Sequence, residues 1–233
     1  GGDATLTLGT ITNVETTQVA IKQDAGVGGE TITVAADKLA SGALAINGDG
    51  AATDIVAITG LQAGVSVTIQ DGDLDSDITI TLDDATGSSD ALTITTVEAD
   101  GTDTAVTDLT ADDVEVINLV VNADAANSTI DDVEFTDVNA DGAETINITS
   151  EEDFDLTLTG ADELTAVNAS GAVAGLDIDI SGADDTGVTI TLGNATAITN
   201  TIAISLDAGD QGSDVIKLGS TKVGAVTIND FQA

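Results

Sequence analysis

The acidic run at residues 137–142 has the residue types and spacing of a calcium-binding loop. It reads Asp-Val-Asn-Ala-Asp-Gly, which matches the first half of the pattern D-x-[DN]-x-[DN]-G. Carboxylate and amide oxygens are the hard ligands that calcium prefers. An EF-hand needs a glutamate at the position where Ile148 stands, and helices on both sides, which the sequence does not indicate. The run therefore predicts a calcium loop between strands, with an exposed acidic turn as the alternative. The predicted ligands are Asp137, Asn139, Asp141 and Glu144.

Three further runs combine carboxylates with glycine in a way that favours calcium. The densest is Asp-Gly-Asp-Leu-Asp-Ser-Asp at residues 71–77. Residues 209–217 approximate the nonapeptide G-G-x-G-x-D-x-U-x, in which glycines allow a tight turn and aspartate binds calcium, with Asp210 in place of the second glycine. Residues 48–55 are a looser relative. Each run also fits an exposed acidic turn. The predicted ligands in these runs are Asp71, Asp73, Asp75, Asp77, Asp210, Asp214, Asp49 and Asp54.

The composition excludes several classes of function. Without cysteine or histidine the chain has no thiolate nucleophile, disulfide, histidine-based triad or zinc site of the usual kind. Four lysines and no arginine leave no basic patch for nucleic acid or an anionic membrane. Two carboxylates can suffice for glycoside hydrolysis, but the lack of arginine and of aromatic residues other than three phenylalanines argues against a polysaccharide-cleaving enzyme. We therefore expect no enzymatic activity.

The net charge predicts a dependence on divalent cations. The chain carries 42 acidic residues and a formal charge of −38. Most of these carboxylates are expected to be solvated, yet stacking them on neighbouring strands, about 4.8 Å apart, brings them within the screening length of physiological salt. A fold built this way is stabilised by bound cations, and oxygen ligands select calcium. Ca²⁺ is therefore the expected cofactor.

Apolar and polar residues alternate with period two along most of the chain, which is the signature of β-strands. Hydrophobic residues make up 42% of the sequence, so the acidity does not indicate disorder. Turns rich in glycine, asparagine and aspartate, with small β-branched core residues, favour a parallel β-solenoid. Tandem β-sandwich domains are the alternative. We expect residues 1–233 to form one continuous body, with a lobe boundary near residues 98–113, and to be a processed product or part of a longer polypeptide.

A degenerate repeat supports the solenoid. In four places a glutamate precedes a strand that contains an asparagine or a glutamine. The last two of these glutamates, Glu144 and Glu163, are 19 residues apart, which is a plausible length for a single coil. Coils are expected to vary in length, because no strict period holds. Thr-x-Thr pairs also recur at unequal separations, which predicts no single regular threonine ladder and argues against ice binding. They begin at Thr5, Thr31, Thr79, Thr93, Thr157 and Thr189.

These motifs resemble those of a known group of proteins. The Val-Glu-Thr-Ile-Asn-like strands, the nonapeptide at residues 209–217 and the ending Val226–Phe231 resemble secreted bacterial repeats-in-toxin proteins. The cysteine-free composition, rich in alanine, threonine and aspartate, is most similar to calcium-dependent surface-layer proteins such as that of Caulobacter. The resemblance implies a right-handed parallel β-helix, many bound calcium ions, export by type I secretion and a two-dimensional lattice outside the outer membrane.

The expected function is therefore structural. The leading hypothesis is a surface-layer protein that is secreted to the bacterial cell surface and assembles with copies of itself into a calcium-stabilised lattice. Cell-surface polysaccharide or lipopolysaccharide is a further expected partner, and neither nucleic acid nor membrane insertion is expected. The alternative is a repeat or stalk segment of a calcium-dependent secreted adhesin or biofilm matrix protein.

Overall fold

The computed structural model describes most of the chain as β-strands and short turns. The described residues are 4–20, 31–47, 55–70, 77–97, 104–106, 108–111, 113–122, 132–182, 187–193, 202–206, 213–219 and 226–229. The strands are β1 Ala4–Thr7, β2 Thr16–Ala20, β3 Thr31–Ala35, β4 Ala43–Asn47, β5 Ile55–Leu61, β6 Ser66–Gln70, β7 Asp77–Leu82, β8 Ala91–Val97, β9 Thr104–Val106, β10 Asp108–Thr110, β11 Val116–Asn122, β12 Asp132–Asn139, β13 Thr145–Ser150, β14 Asp153–Gly160, β15 Ala166–Ala169, β16 Leu176–Asp179, β17 Thr189–Leu192, β18 Ile202–Ser205, β19 Val215–Lys217 and β20 Val226–Asn229. No helix in these ranges is long and apolar enough to cross a membrane.

The strands form two parallel sheets that the chain visits in turn. Sheet A runs β1-β3-β5-β7-β10-β12-β14-β16-β18-β20, with β9 also paired to β12. Sheet B runs β19-β17-β15-β13-β11-β8-β6-β4-β2. Every strand pair in the described residues is parallel, so each coil lies on the previous one. This arrangement confirms the β-solenoid, and the tandem sandwich alternative, which needs antiparallel sheets, is wrong. A right-handed path is the one expected of parallel crossovers.

The core lies between the two sheets and consists of every second side chain of each strand. In β14, Phe154, Leu156 and Leu158 are buried, while the residues between them are partly exposed. Their small and β-branched neighbours on other coils form one continuous apolar cluster. The two large rings of this interior, Phe135 and Phe154, lie on adjacent coils with centroids 5.7 Å apart and planes inclined by 48°. The alternation that indicated strands in the sequence is therefore the alternation between core and surface.

Coil length varies because the turns differ, while the strand register is kept. Ala4 pairs with Ile32 at one end, whereas Thr145 pairs with Ala166 in the middle. The second pair is 21 residues apart, so the coil length of 19 residues inferred from Glu144 and Glu163 is wrong. Thr165, and not Glu163, lies beside Glu144 on the next coil, where its amide donates to the Glu144 carbonyl at 3.0 Å. The variation in coil length itself is as expected.

Variable coils also place threonines next to each other despite their unequal spacing. Thr5 pairs with Thr33, and Thr79 pairs with Thr110, all in sheet A. Ala57 stands between the two pairs, opposite both Thr33 and Thr79. The row is therefore interrupted, as expected, but unequal separations in the sequence are not the reason, because turns of different length absorb them.

Asparagines stack in a ladder on the outer face of sheet B. Asn147 Nδ2 donates to Asn118 Oδ1 at 2.9 Å, and Asn168 Nδ2 donates to Asn147 Oδ1 at 3.3 Å. Asn118 Nδ2 continues the ladder to Thr93 Oγ1 at 3.2 Å. An amide carries both donor and acceptor, so identical side chains on successive coils satisfy each other. This ladder explains why asparagine recurs in the repeated strand motif.

We expect Phe154→Ala to destabilise the protein by about 3–5 kcal/mol, because the substitution removes the ring contact with Phe135 and leaves a cavity between the sheets. Denaturant unfolding followed by circular dichroism measures the change. Thr157→Ala is the matched control in the same strand: its partly exposed side chain should change stability by no more than about 0.5 kcal/mol. Equal effects of the two substitutions would contradict the assigned core.

Asn147→Ala should lower the free energy of unfolding by about 1 kcal/mol. The substitution removes the hydrogen bonds to Asn118 and Asn168, whose side-chain amides then hydrogen-bond to water instead. The exposed Thr149→Ala, two residues along the same strand, is its control. Thermal unfolding of both variants in one buffer makes the comparison. A loss for Thr149→Ala that matches the loss for Asn147→Ala would show that the ladder contributes nothing specific.

Candidate metal site

An irregular end of β12 positions the residues of the predicted calcium loop. Phe135 pairs with Leu156 and Val138 with Leu158, so that β12 advances three residues while β14 advances two. Such a bulge redirects the side chains that follow it. Asp137 is exposed and Asn139 partly exposed on the outer side, while Val138 between them remains in the core. The chain then turns at Asp141 and Gly142 towards sheet B.

Side-chain oxygens from this turn converge on Gly160 of the next coil. A Cβ atom placed on Gly160 would lie 2.7 Å from Asp141 Oδ1 and 2.8 Å from Asn139 Oδ1. Only a residue without a side chain allows both oxygens to come this close to the neighbouring backbone. Next to it, the Thr159 hydroxyl donates a hydrogen bond to Asp137 Oδ1. The cradle, defined as Asp137, Asn139, Asp141, Thr159 and Gly160, therefore combines two coils.

One oxygen of the cradle is buried without a partner. Asn139 Oδ1 is inaccessible to solvent and accepts no hydrogen bond from any described residue. A buried polar oxygen left unpaired costs about 1–3 kcal/mol. A cation beside it would remove that cost, since calcium takes amide oxygens as ligands. The orphaned oxygen is thus consistent with a bound cation.

The donor set fits calcium in type and supplies part of its coordination. All the side-chain atoms of the cradle that could bind the metal are oxygens, and two of its side chains are carboxylates. Among the described residues no group of three or more carboxylates lies close enough to hold a metal. Calcium takes about six to eight oxygens, so backbone carbonyls and water would complete the shell. When bound, the ion would neutralise Asp137 and Asp141 and join one coil to the next.

Glu144 lies in a different row from the cradle. It follows the turn Ala140–Ala143 and precedes β13, where its amide donates to the Glu115 carbonyl at 2.9 Å. The Thr165 amide and hydroxyl both donate to the Glu144 carbonyl, each at 3.0 Å. Within the described residues, Glu144, Asp137 and Asp141 do not form a group of three carboxylates that could hold a metal. Its role as an additional ligand stays a prediction.

The other predicted ligands are mostly outside the described residues. Asp71, Asp73, Asp75, Asp49, Asp54 and Asp210 are in this group. Asp77 is the first residue of β7, where it pairs in register with Asp108 of β10. Asp214 precedes β19, and its Oδ1 accepts a hydrogen bond from the Val188 amide at 2.9 Å. The metal-binding role predicted for these residues stays untested.

Asp214 illustrates a role for carboxylates that motif reasoning missed. Glu115 Oε2 accepts the Asp90 amide at 2.7 Å, and Asp153 Oδ1 accepts the Gly175 amide at 2.7 Å. In each case the carboxylate binds a backbone N–H of an adjacent coil near the start of a strand. A charged acceptor makes such a bond roughly twice as strong as a neutral one. Of the repeated glutamates that precede strands, Glu115 takes this role.

Local turns bind other carboxylates. The Thr86 hydroxyl and amide donate to Asp84 Oδ1 at 2.6 and 3.2 Å, and these hydrogen bonds hold the pKa of Asp84 below its ordinary value. The Ser181 amide donates to Asp179 Oδ1 at 2.9 Å. Asp84 is therefore stabilised as an anion without a metal. A cluster of aspartates is therefore not by itself evidence of a cation site, and the orphaned oxygen distinguishes the cradle.

A second feature that motifs did not predict is an acidic row on sheet A. Glu134 pairs with Asp155, and Asp155 pairs with Asp177, on the outer faces of β12, β14 and β16. The residues lie more than 20 positions apart in the sequence, so only the register reveals the row. Like charges directly opposite each other on neighbouring strands are destabilising.

Comparison of the chain with models of protein families, with curated proteins and with solved structures finds no match to any of them. The function therefore has to be inferred from the fold and from the side-chain geometry of this molecule.

Gly160→Ala should abolish cation binding at the cradle, because the added Cβ would overlap the space of Asp141 Oδ1 and Asn139 Oδ1. We expect isothermal titration with calcium to show one ion fewer, or binding at this site weakened by about tenfold or more. Gly171→Ala is the matched control, since its Cβ would meet Thr149 Oγ1 at a similar 2.7 Å and no carboxylate. Unchanged calcium binding by a folded Gly160→Ala variant would contradict the site.

Proposed function

We propose that this protein is a structural surface-layer protein, secreted to the bacterial cell surface, where copies assemble into a calcium-stabilised lattice. The row of Glu134, Asp155 and Asp177 carries the proposal, because like charges stand directly opposite each other on neighbouring strands and repel one another. Two charges about 5 Å apart in water repel by about 0.8 kcal/mol, and such pairs recur along the body. Divalent cations are the ions that reduce this repulsion most.

The cradle supports the same proposal at the level of one site. It joins two coils through oxygens alone, so a cation there stabilises the fold as well as lowering the charge. Extracellular calcium sites bind at roughly 10⁻⁴–10⁻³ M. At ten times the dissociation constant one site adds about 1.4 kcal/mol, so several sites acting together would give a firm dependence on calcium.

Repulsion between carboxylates also acts between molecules. A body with a formal charge of −38 repels its copies unless cations lie between them. Calcium bridging between carboxylates on facing surfaces would make lattice formation depend on the ion that stabilises the coils. Anionic cell-surface polysaccharide or lipopolysaccharide would be bound in the same way, through shared cations. Catalysis has no part in this proposal.

The alternative is a stalk segment of a calcium-dependent secreted adhesin or matrix protein. The observation that favours it is the parallel pairing that continues from β1 to β20, which builds an elongated body. Such a rod holds whatever is attached to its end away from a surface. Calcium would then stiffen the rod without joining neighbours side by side.

Millimolar calcium should convert the purified protein from monomers into ordered sheets, and an excess of chelator should dissolve them and lower the unfolding temperature. Electron microscopy and small-angle scattering follow the assembly, and calorimetry follows the fold. Magnesium at equal concentration is the control, because its small, strictly octahedral shell suits these ligands less well. Isolated rods in calcium would favour the stalk, and unchanged size and stability in chelator would contradict both functions.

A further inference from the structure

The strands of the two sheets differ sharply in charge. The nine strands that the structure describes in sheet B contain no aspartate or glutamate, and their one charged residue is Lys217. The described strands of sheet A contain nine acidic residues, which are Asp77, Asp108, Asp132, Glu134, Asp137, Asp153, Asp155, Asp177 and Asp179. In a chain of formal charge −38, the outer side of sheet B is therefore an unusually neutral surface.

We call this outer side of sheet B the neutral face. Two rows of outward-pointing residues run along its middle: the first contains Thr93, Asn118, Asn147, Asn168 and Thr191, and the second contains Thr68, Thr95, Val120 and Thr149. All of these side chains are partly or fully exposed. The nearest carboxylates in the chain lie at the border of the face, where Glu115 and Glu144 come directly before β11 and β13.

The neutral face is even, because the strands beneath it keep one register. The described pairs of sheet B contain no register shift, whereas the pairs β5–β7 and β12–β14 of sheet A do. A bulge bends its strand and redirects the side chains next to it. The two rows also consist of threonine, asparagine and valine, which lose less rotamer freedom on contact than lysine or glutamate does.

The asparagine ladder lowers the cost of taking this face out of water. The links from Asn147 to Asn118 and from Asn168 to Asn147 are hydrogen bonds between side-chain amides. A polar group that already has a partner in the protein costs less to bury than one that depends on water. Ladders of amides beside rows of small side chains are also the surfaces that pack face to face in stacked sheets.

The size and charge of the neutral face fit a second copy of the chain. Nine strands at about 4.8 Å span about 40 Å, and five residues of a strand are about 16 Å long, so the face covers about 600 Å². Two such faces in contact bury about 1,200 Å², which reaches the lower limit for specific protein interfaces. Contact through sheet A would bring acidic rows together, whereas contact through sheet B keeps carboxylates at the border.

We propose that two copies of the protein bind each other through the neutral face. Identical surfaces meet in this contact, so it is isologous and closes on a two-fold axis in the plane of the interface. β11 is the middle strand of the nine, so complete overlap of the two faces brings the two copies of Val120 close together. The contact needs no calcium, so it goes beyond the proposed function and would supply a lattice with one joint that cations do not bridge.

Sodium chloride should strengthen the dimer even in the presence of a chelator. Salt screens the repulsion between two bodies of charge −38, whereas the neutral contact itself depends little on salt. Sedimentation equilibrium of the purified protein in chelator should therefore show more dimer at high salt than at low salt. A protein that stays monomeric at high concentration and high salt would overturn the proposal.

Val120→Glu should weaken dimerisation by about 30-fold or more, because a charge enters the centre of the contact and meets its copy there. Thr33→Glu is the matched control, since Thr33 is likewise partly exposed in a strand but belongs to sheet A. Its association should stay within about threefold of the wild type, and circular dichroism checks that both variants are folded. A loss of association for Thr33→Glu but not for Val120→Glu would place the contact on sheet A and overturn the proposal.

A mixture of oppositely charged variants separates the contact from any loss of stability. Val120→Glu and Val120→Lys proteins should each dimerise weakly, because like charges meet at the axis. An equal mixture should associate at least about tenfold more tightly than either variant alone, since opposite charges then meet. A mixture that associates no better than its components would overturn the proposal, as would a monomeric wild type whose neutral face binds a neutral polysaccharide.

The dimer and the proposed lattice fail in different ways. Dimers in chelator that form no sheets in calcium would support the contact through the neutral face and contradict the surface-layer function. Calcium-dependent sheets from a protein that is monomeric in chelator at high salt would support that function and overturn the contact.

Discussion

Parallel backbone pairing between successive coils is the interaction on which the rest of this molecule depends. It places each residue about 4.8 Å from the residue at the same position of the next coil. Where one kind of side chain recurs at the same position of successive coils, it therefore forms a row along the body. Apolar residues then build a continuous core, as in the contact of Phe135 with Phe154, and amides build a ladder through Asn118, Asn147 and Asn168. Two sheets of mostly small aliphatic residues are sufficient to form this core, because the core extends in one direction only.

The same stacking makes charge the main difficulty of the fold. A side-chain amide forms a hydrogen bond with the amide at the same position of the next coil. A carboxylate repels the carboxylate next to it, as in the row of Glu134, Asp155 and Asp177. The molecule deals with this in two ways that are visible in its hydrogen bonds. Carboxylates near strand starts accept backbone N–H groups, as Glu115 does from Asp90, and carboxylates in turns bind their own loop. In the acidic row on sheet A, carboxylates of neighbouring strands stand directly opposite each other.

The amount that could be predicted differed between the core and the site. Period-two alternation was sufficient for an all-β fold, since it is a local property of each strand. Asp137, Asn139 and Asp141 were found because they are close in sequence, but Gly160, which gives their oxygens room, lies one coil away and carries no side chain to recognise. The spacing of Glu144 and Glu163 misled, because Glu163 lies in a turn and Thr165 takes the paired position.

The sequence by itself determined which residues face inward and that the chain carries no thiol or imidazole, because these follow from local alternation and residue type. Only the tertiary structure decided which residues are neighbours across coils. Turns of different length shift the register by amounts that no local pattern records, so Thr5 meets Thr33 and Glu134 meets Asp155. The orphaned oxygen of Asn139 also required the fold, because burial depends on the coil that lies next to each residue.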